Sequence, residues 1–140
     1  MAGTPRNFGE FARAIAALAK VPASVSRSGA VEIQRMMRKD FAAGRDAYGR
    51  AYAPLRPASL DRGRRPPPLR KYGRTATAAP LAGSGITISQ SHPQAGFHQT
   101  GTSRMAKRVV IPDGTLPATW RAAIKAQFGA KVRKTMGRAA

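Results

Sequence analysis

Apolar residues stand at Phe8, Phe11, Ile15 and Leu18, at spacings of three, four and three, the repeat of one helix face. Asn7 precedes this run as an N-cap and Pro22 follows it as a stop, so the pattern predicts a helix over 8–20. After the polar stretch of Ser24, Ser26, Ser28 and Gly29, Ile33, Met37 and Phe41 recur every fourth residue, which predicts a second helix over 30–43. Gly44 is placed to end it, because a glycine takes a left-handed conformation without a Cβ clash. Phe11, Ile15, Ile33, Met37 and Phe41 are the expected core positions of this helical part.

Residues 45–80 lose the periodicity. Gly49, Pro54, Pro57, Gly63, Pro66, Pro67, Pro68, Gly73 and Pro80 punctuate them, which predicts a long arm or loop with local polyproline II at the proline triplet. Ile86 to Ser89 alternates apolar and polar, and Arg108 to Ile111 is a short β-branched run; both read as strands. Ala95 to Gln99 reads as a third strand of a small antiparallel sheet. Pro117 suits the first turn of a closing helix, with Trp120, Ile124 and Phe128 as its core positions. Either Gly129 caps that helix or it runs on to Met136. The expectation is one α+β domain over 1–140: a helical part (8–43), an extended arm (45–80), a sheet with a closing helix (81–128) and a basic tail (129–140).

Composition narrows this further. Of the residues counted as hydrophobic, 27 are Ala, while Val, Ile, Leu and Phe together number 23 of 140. The core is thin, and neighbouring subunits or a large partner would supply the missing burial, so ordering on assembly is expected. There is no cysteine, which excludes disulfides, thiolate zinc sites and a cysteine nucleophile. No apolar run approaches the roughly 18 residues of a membrane span.

Charge is the strongest signal: 25 Lys and Arg face 6 Asp and Glu, a net charge of +19. Arg56, Arg62, Arg64, Arg65, Arg70, Lys71 and Arg74 crowd one segment. The surplus has three meanings: phosphate contacts to nucleic acid, an acidic protein partner, or a solvated, self-repelling surface. The excess of Arg over Lys suits carboxylate and phosphate alike and does not choose between them. Catalytic material is sparse. His98 lies between Phe97 and Gln99 with no carboxylate within ten residues, so it reads as a structural or interface hydrogen-bonding group. Gly83-Ser84-Gly85 lacks the Lys-Ser/Thr of a phosphate loop and reads as a turn. No enzyme, cofactor or metal is expected.

The order of segments is familiar: Phe41-Ala-Ala-Gly44-Arg-Asp46-Ala-Tyr48-Gly49-Arg-Ala-Tyr52-Ala53-Pro54-Leu55, then Ser59-Leu60, then Ala95-Gly96-Phe97-His98-Gln99-Thr100-Gly101-Thr102, then Arg104-Met105, Arg108 to Pro112 and a helix with Trp120. It resembles the phage virion morphogenesis or tail-completion family of tailed bacteriophages and prophages, over about Phe41 to Phe128. Tyr52 stands where that family commonly has tryptophan, Thr100 where an aromatic often follows His-Gln, and Val109 where proline is usual. The resemblance implies a mixed α/β, non-enzymatic virion component, made in the bacterial host cytoplasm. It would form a ring, a hexamer or alternatively a dodecamer, at the head-tail junction, beside connector, neck and tail proteins and in possible non-specific contact with packaged DNA. The basic arm would then bind a neighbouring subunit or ring, and His98, Gln99, Gly101 and Arg108 would be interface or structural positions. The alternative is a small basic nucleic-acid-binding protein.

Overall fold

The computed structural model describes residues 8–138. Helix α1 (Phe8–Leu18) leads into α2 (Val21–Ala43), the longest element. Pro22 therefore opens α2 where the sequence suggested it would only stop α1, because a first-turn proline loses no helical hydrogen bond. The serine stretch is helical as well. The Ser26 and Ser28 hydroxyls donate to the carbonyls of Pro22 and Ser24 at 3.0 and 3.1 Å, one turn back, so groups that read as loop are absorbed by the helix itself. The expected start at residue 30 moves to Val21. Small residues on this stretch admit neighbours: a Cβ on Gly29 would stand 3.1 Å from Ile86 Cδ1 and 3.7 Å from Ile124 Cγ1. Gly44 ends α2 at φ 71°, as expected, and a Cβ there would also strike Pro67.

The projecting arm is not found. Residues 45–80 fold back on the body as a turn around Asp46, the short helix α3 (Pro57–Asp61), a 3-10 turn (Arg70–Arg74) and strand β1 (Ala76–Pro80). Pro66 to Leu69 form bends and a turn, with a cis Pro66–Pro67 bond and a buried Pro68, in place of polyproline II. Tyr52 and Tyr72 fix the segment by entering the core. Spaced Gly and Pro marked real turns; two buried tyrosines make those turns lie down.

Ile86 to Ser89 is a strand, β2 (Ile86–Gln90), and its antiparallel partner is β1, with Ala78 opposite Ile88. Among the described residues the sheet has these two strands. The hairpin lies along α2 and is held at both ends. The Gln34 side chain donates to the Ala76 carbonyl and accepts from the Ala78 N–H, both at 2.6 Å. At the tip, the Gly85 N–H donates to the Ser26 hydroxyl at 2.8 Å.

Two other expected strands are corrected. Ala95 to Gln99 lies in helix α4 (Ala95–Thr100); it contains no β-branched residue before Thr100, and Ala and Gln favour helix. Arg108 to Ile111 forms no strand among the described residues: the chain bends at Val110 and Ile111, and both of their N–H groups turn to the one Gln99 oxygen. The closing helix α5 (Ala118–Arg138) passes through Gly129 without capping, so most of the expected basic tail is helical. One interior glycine costs only about 1 kcal/mol, and the flanking Ala, Lys and Gln offset it.

The core gathers Ile33, Met37, Phe41, Tyr52, Tyr72, Ala76, Ala95, Val110 and Trp120, with Ile124 packed against its edge. Ile15 and Phe128 are not core positions: they are 52% and 49% exposed. Among the described residues of α1, Ala14 is buried, and its small side chain lets α1 approach α5 without burying the larger Ile15. The side chain of Phe11 lies outside the described residues. No described helix is long and apolar enough to cross a membrane.

Trp120 is 1% exposed, so Trp120→Ala is expected to cost about 3–5 kcal/mol. Gln34→Met keeps the side-chain length but removes two hydrogen bonds, for about 2 kcal/mol. Urea denaturation should rank Trp120→Ala below Gln34→Met and both below the parent; an unchanged midpoint for either removes that residue from the scaffold described.

Candidate interaction site

The turn after α2 is organised by one carboxylate. Asp46 is buried; its Oδ1 accepts the N–H groups of Tyr48 and Arg50 at 2.9 Å, and its Oδ2 accepts Arg50 Nε at 2.8 Å. An aspartate bonding the backbone two residues on is a standard turn device. This turn carries Tyr52 into the core, where its hydroxyl donates to the Val109 carbonyl at 2.9 Å. Burial, with the charges of Asp46 and Asp40 adding, pushes that hydroxyl's pKa above the ordinary tyrosine value, so it remains a donor.

His98, Gln99, Gly101 and Arg108 come together around the same place. The Arg108 N–H donates to the His98 carbonyl at 2.7 Å. The Arg108 guanidinium, buried, donates to the carbonyls of Ala53 and Pro54, both at 2.9 Å. Gln99 Oε1 accepts the N–H groups of Val110 and Ile111 at 2.8 and 3.0 Å, while its Nε2 donates to the Ile111 carbonyl at 2.9 Å. Gly101 stands at φ 75°, and a Cβ there would lie 3.0 Å from the Lys107 nitrogen. Glycine is required here because two chain segments pass within contact distance and the backbone is left-handed. These four residues form a joint binding the 46–54 turn to α4 and to the 107–111 segment.

His98 is buried against Tyr72, ring edge to ring face at 5.4 Å, and Tyr72 stacks on His92 at 4.0 Å. Among the described residues its Nδ1 has no hydrogen-bond partner, nor does the buried Tyr72 hydroxyl. Burial first, then the charge of Arg108 and the neighbouring His92 and Arg64, hold the His98 pKa below the ordinary histidine value. The ring is neutral at pH 7.

An open cleft of about 360 Å³ lies beside the joint, lined by Asp46, Arg50, Tyr52, Lys107, Arg108 and Asp113 among others. Its carboxylates are already occupied, Asp46 by Arg50 at 2.8 Å and Asp113 by Lys107 at 3.0 Å. The hydrogen bond from Lys107 keeps the Asp113 carboxyl below its usual range. Among the described residues no group of three or more His, Asp or Glu is placed to hold a metal ion.

Arg56, Arg62, Arg64, Arg65, Arg70, Lys71 and Arg74 are all exposed. The ion pairs of Glu32, Asp40, Asp46 and Asp113 go to Arg35, Arg45, Arg50 and Lys107, so among the described residues none of the seven has a carboxylate partner. They sit on folded turns beside the joint: the charge of Arg64 is felt at Tyr72 and His98, and that of Arg56 at Arg108. The expected residues are thus present on the surface, on a fixed support and not on a free arm. Asp46 stood out only within the Phe41 to Leu55 stretch that carries the resemblance, and Gln34, Gln90 and Tyr72 carried no sequence signal. Their roles depend on partners 18 to 44 residues away.

Because the folded pKa of His98 is depressed, the unfolded chain takes up a proton below about pH 6.5 that the folded one refuses. The stability His98 contributes is therefore complete above that pH and lost on acidification. Melting temperature measured between about pH 5 and 8 is expected to fall on the acid side, and His98→Phe to flatten that fall; an equal slope in the variant would assign the acid sensitivity elsewhere.

Comparison with known proteins finds no matching family model, no matching curated relative and no matching solved structure.

Proposed function

We propose that this chain is a structural subunit of a tailed-bacteriophage virion, of the neck or tail-completion kind, which assembles as a closed ring where head and tail meet. The observation that carries the reading is the joint itself. The motifs that resemble the family are far apart in the chain, yet Arg108 reaches Ala53 across 55 residues and Tyr52 reaches Val109 across 57. Residues chosen by resemblance turn out to bond one another, and their hydrogen-bonding capacity goes to backbone groups. This supports an architectural role for the motif. Ring closure follows from the family reading and from the general preference of homo-oligomers for closed symmetry. The seven exposed cations beside the joint suit an acidic surface on an adjacent ring or neighbouring subunit.

A second reading is a small basic nucleic-acid-binding protein, favoured by one observation: those seven cations lack carboxylate partners among the described residues. It predicts affinity for plain duplex DNA that falls with salt at a log-log slope of about −0.9 per phosphate neutralised.

Native mass spectrometry of nuclease-treated protein tests the first reading; a discrete hexamer or dodecamer is expected, whereas a chain that never closes into an oligomer and binds duplex DNA with a steep salt slope would favour the second. Replacing Arg62, Arg64 and Arg65 by Ser changes exposed groups and is expected to shift stability by no more than about 0.5 kcal/mol. In the virion that carries this protein, the triple variant should leave heads and tails unjoined; a normal yield of joined particles would sink the role given to the arginines.

A further inference from the structure

The two strands of the hairpin differ at their outer edges. Gln34 caps that of β1 at Ala76 and Ala78. Strand β2 has no such cover. The Ser91 N–H donates to the Thr75 carbonyl, so in the antiparallel register Thr77–Ser89 and Ala79–Thr87 are the pairs that exchange hydrogen bonds. The alternate residues Ile86, Ile88 and Gln90 therefore turn their N–H and C=O groups away from β1. The Gln34 contacts to Ala76 and Ala78 agree, since these sit opposite Gln90 and Ile88. Among the described residues no hydrogen bond from another element reaches the outward groups of β2.

An open edge is normally blunted with lysine, proline, a bulge or an inward charge. Ile86-Thr87-Ile88-Ser89-Gln90 has none of these. We infer that β2 pairs antiparallel with β2 of a second copy of this chain, across a two-fold axis at Ile88, to make a four-stranded sheet. The register is self-complementary: Ile88 faces the partner's Ile88, Ile86 faces the partner's Gln90, and every outward donor meets an acceptor. Thr87 and Ser89 meet across the solvent face, where Thr77 and Ser89 already share a hydrogen bond of 2.5 Å within the hairpin. The half-buried Ile86 and Ile88 gain cover on the other face.

Charge selects this occupant. The chain carries +19, yet no Lys, Arg, Asp or Glu occurs from Thr75 to Ser103. An acidic protein or a DNA backbone finds no cation to pair with on the hairpin. Two copies of a strongly basic molecule, by contrast, repel least where neither carries charge.

The inference stands on the strand edge and does not rest on the neck reading. A two-fold contact relates the two layers of a dodecamer with dihedral symmetry, whereas a single six-membered ring contains none.

Sedimentation of the nuclease-treated full chain over a concentration series, at low and high salt, is the test, with amide hydrogen exchange read at Ile88. The expected result is a concentration-dependent association that tightens as salt screens like charge, with Ile88 protected in the associated form and exposed on dilution. Thr87→Lys with Ser89→Lys places like charges opposite one another at exposed positions and should abolish it with the circular dichroism unchanged; if that variant loses its native dichroism, exchange at Ile88 decides alone. A chain that stays monomeric throughout, an association that weakens with salt, or a dimer that survives both lysines overturns the inference. A closed ring whose Ile88 amide exchanges freely overturns it while leaving the neck reading in place; a dimer with Ile88 protected and no ring does the reverse.

Discussion

Extended backbone inside a folded chain must find hydrogen-bond partners, because an unpaired N–H or C=O away from water costs about as much as the bond it lacks. This protein meets that constraint with side-chain amides where a larger one would add strands. Gln34 presents one oxygen and one nitrogen to β1, and Gln99 satisfies the bend at Val110 and Ile111 in the same way. Gln90 adds a third tie, from its Nε2 to the Tyr72 carbonyl at 3.0 Å. An amide carries both donor and acceptor, so Gln34 imitates a residue of a neighbouring strand, while Gln99 and Gln90 tie down turns. The arrangement suits a chain poor in large apolar residues, which lacks the material to cover both faces of a wider sheet.

The second economy is in charge. Four carboxylates are each tied to a cation near them in sequence or space, and Asp46 does more than neutralise Arg50, since it also shapes the turn that delivers Tyr52. Arg108 shows the opposite use of a cation. It is buried without a carboxylate, its guanidinium bonded to the carbonyls of Ala53 and Pro54. Burial, with Arg56 adding, draws its pKa below the ordinary arginine value. Among the described residues the other arginines are exposed, save the half-buried Arg45, and their charge stays in water.

The proposed virion role and the β2 edge draw on different parts of the molecule. The joint of Tyr52, Gln99 and Arg108 is internal and fixes the shape of the subunit. The cations of 56–74 lie outside it on folded turns, and the hairpin edge lies outside both. The exposed cations and the open strand edge are thus separate surfaces, and the proposed contacts do not compete for one of them.

Sequence alone determined the elements whose signals are local. The stripe of Ile33, Met37 and Phe41 placed the core face of α2, Gly44 its end, the Ile-Thr-Ile-Ser alternation β2, and Trp120 the core of α5, because a period, a cap and a pleat are properties of neighbouring residues. The exposed seven cations were legible for the same reason: long charged side chains stay in water. Tertiary structure decided the rest. A 52% exposed Ile15 and a buried Ala14 follow from how closely α1 approaches α5. Arg108 to Ile111 became a bend and not a strand because the Gln99 side chain reaches across and takes the N–H groups of Val110 and Ile111. The apparent arm lies flat because Tyr52 and Tyr72 reach a core assembled by residues far along the chain. Contacts of that kind depend on which segments meet in space, and no pattern within a single segment encodes them.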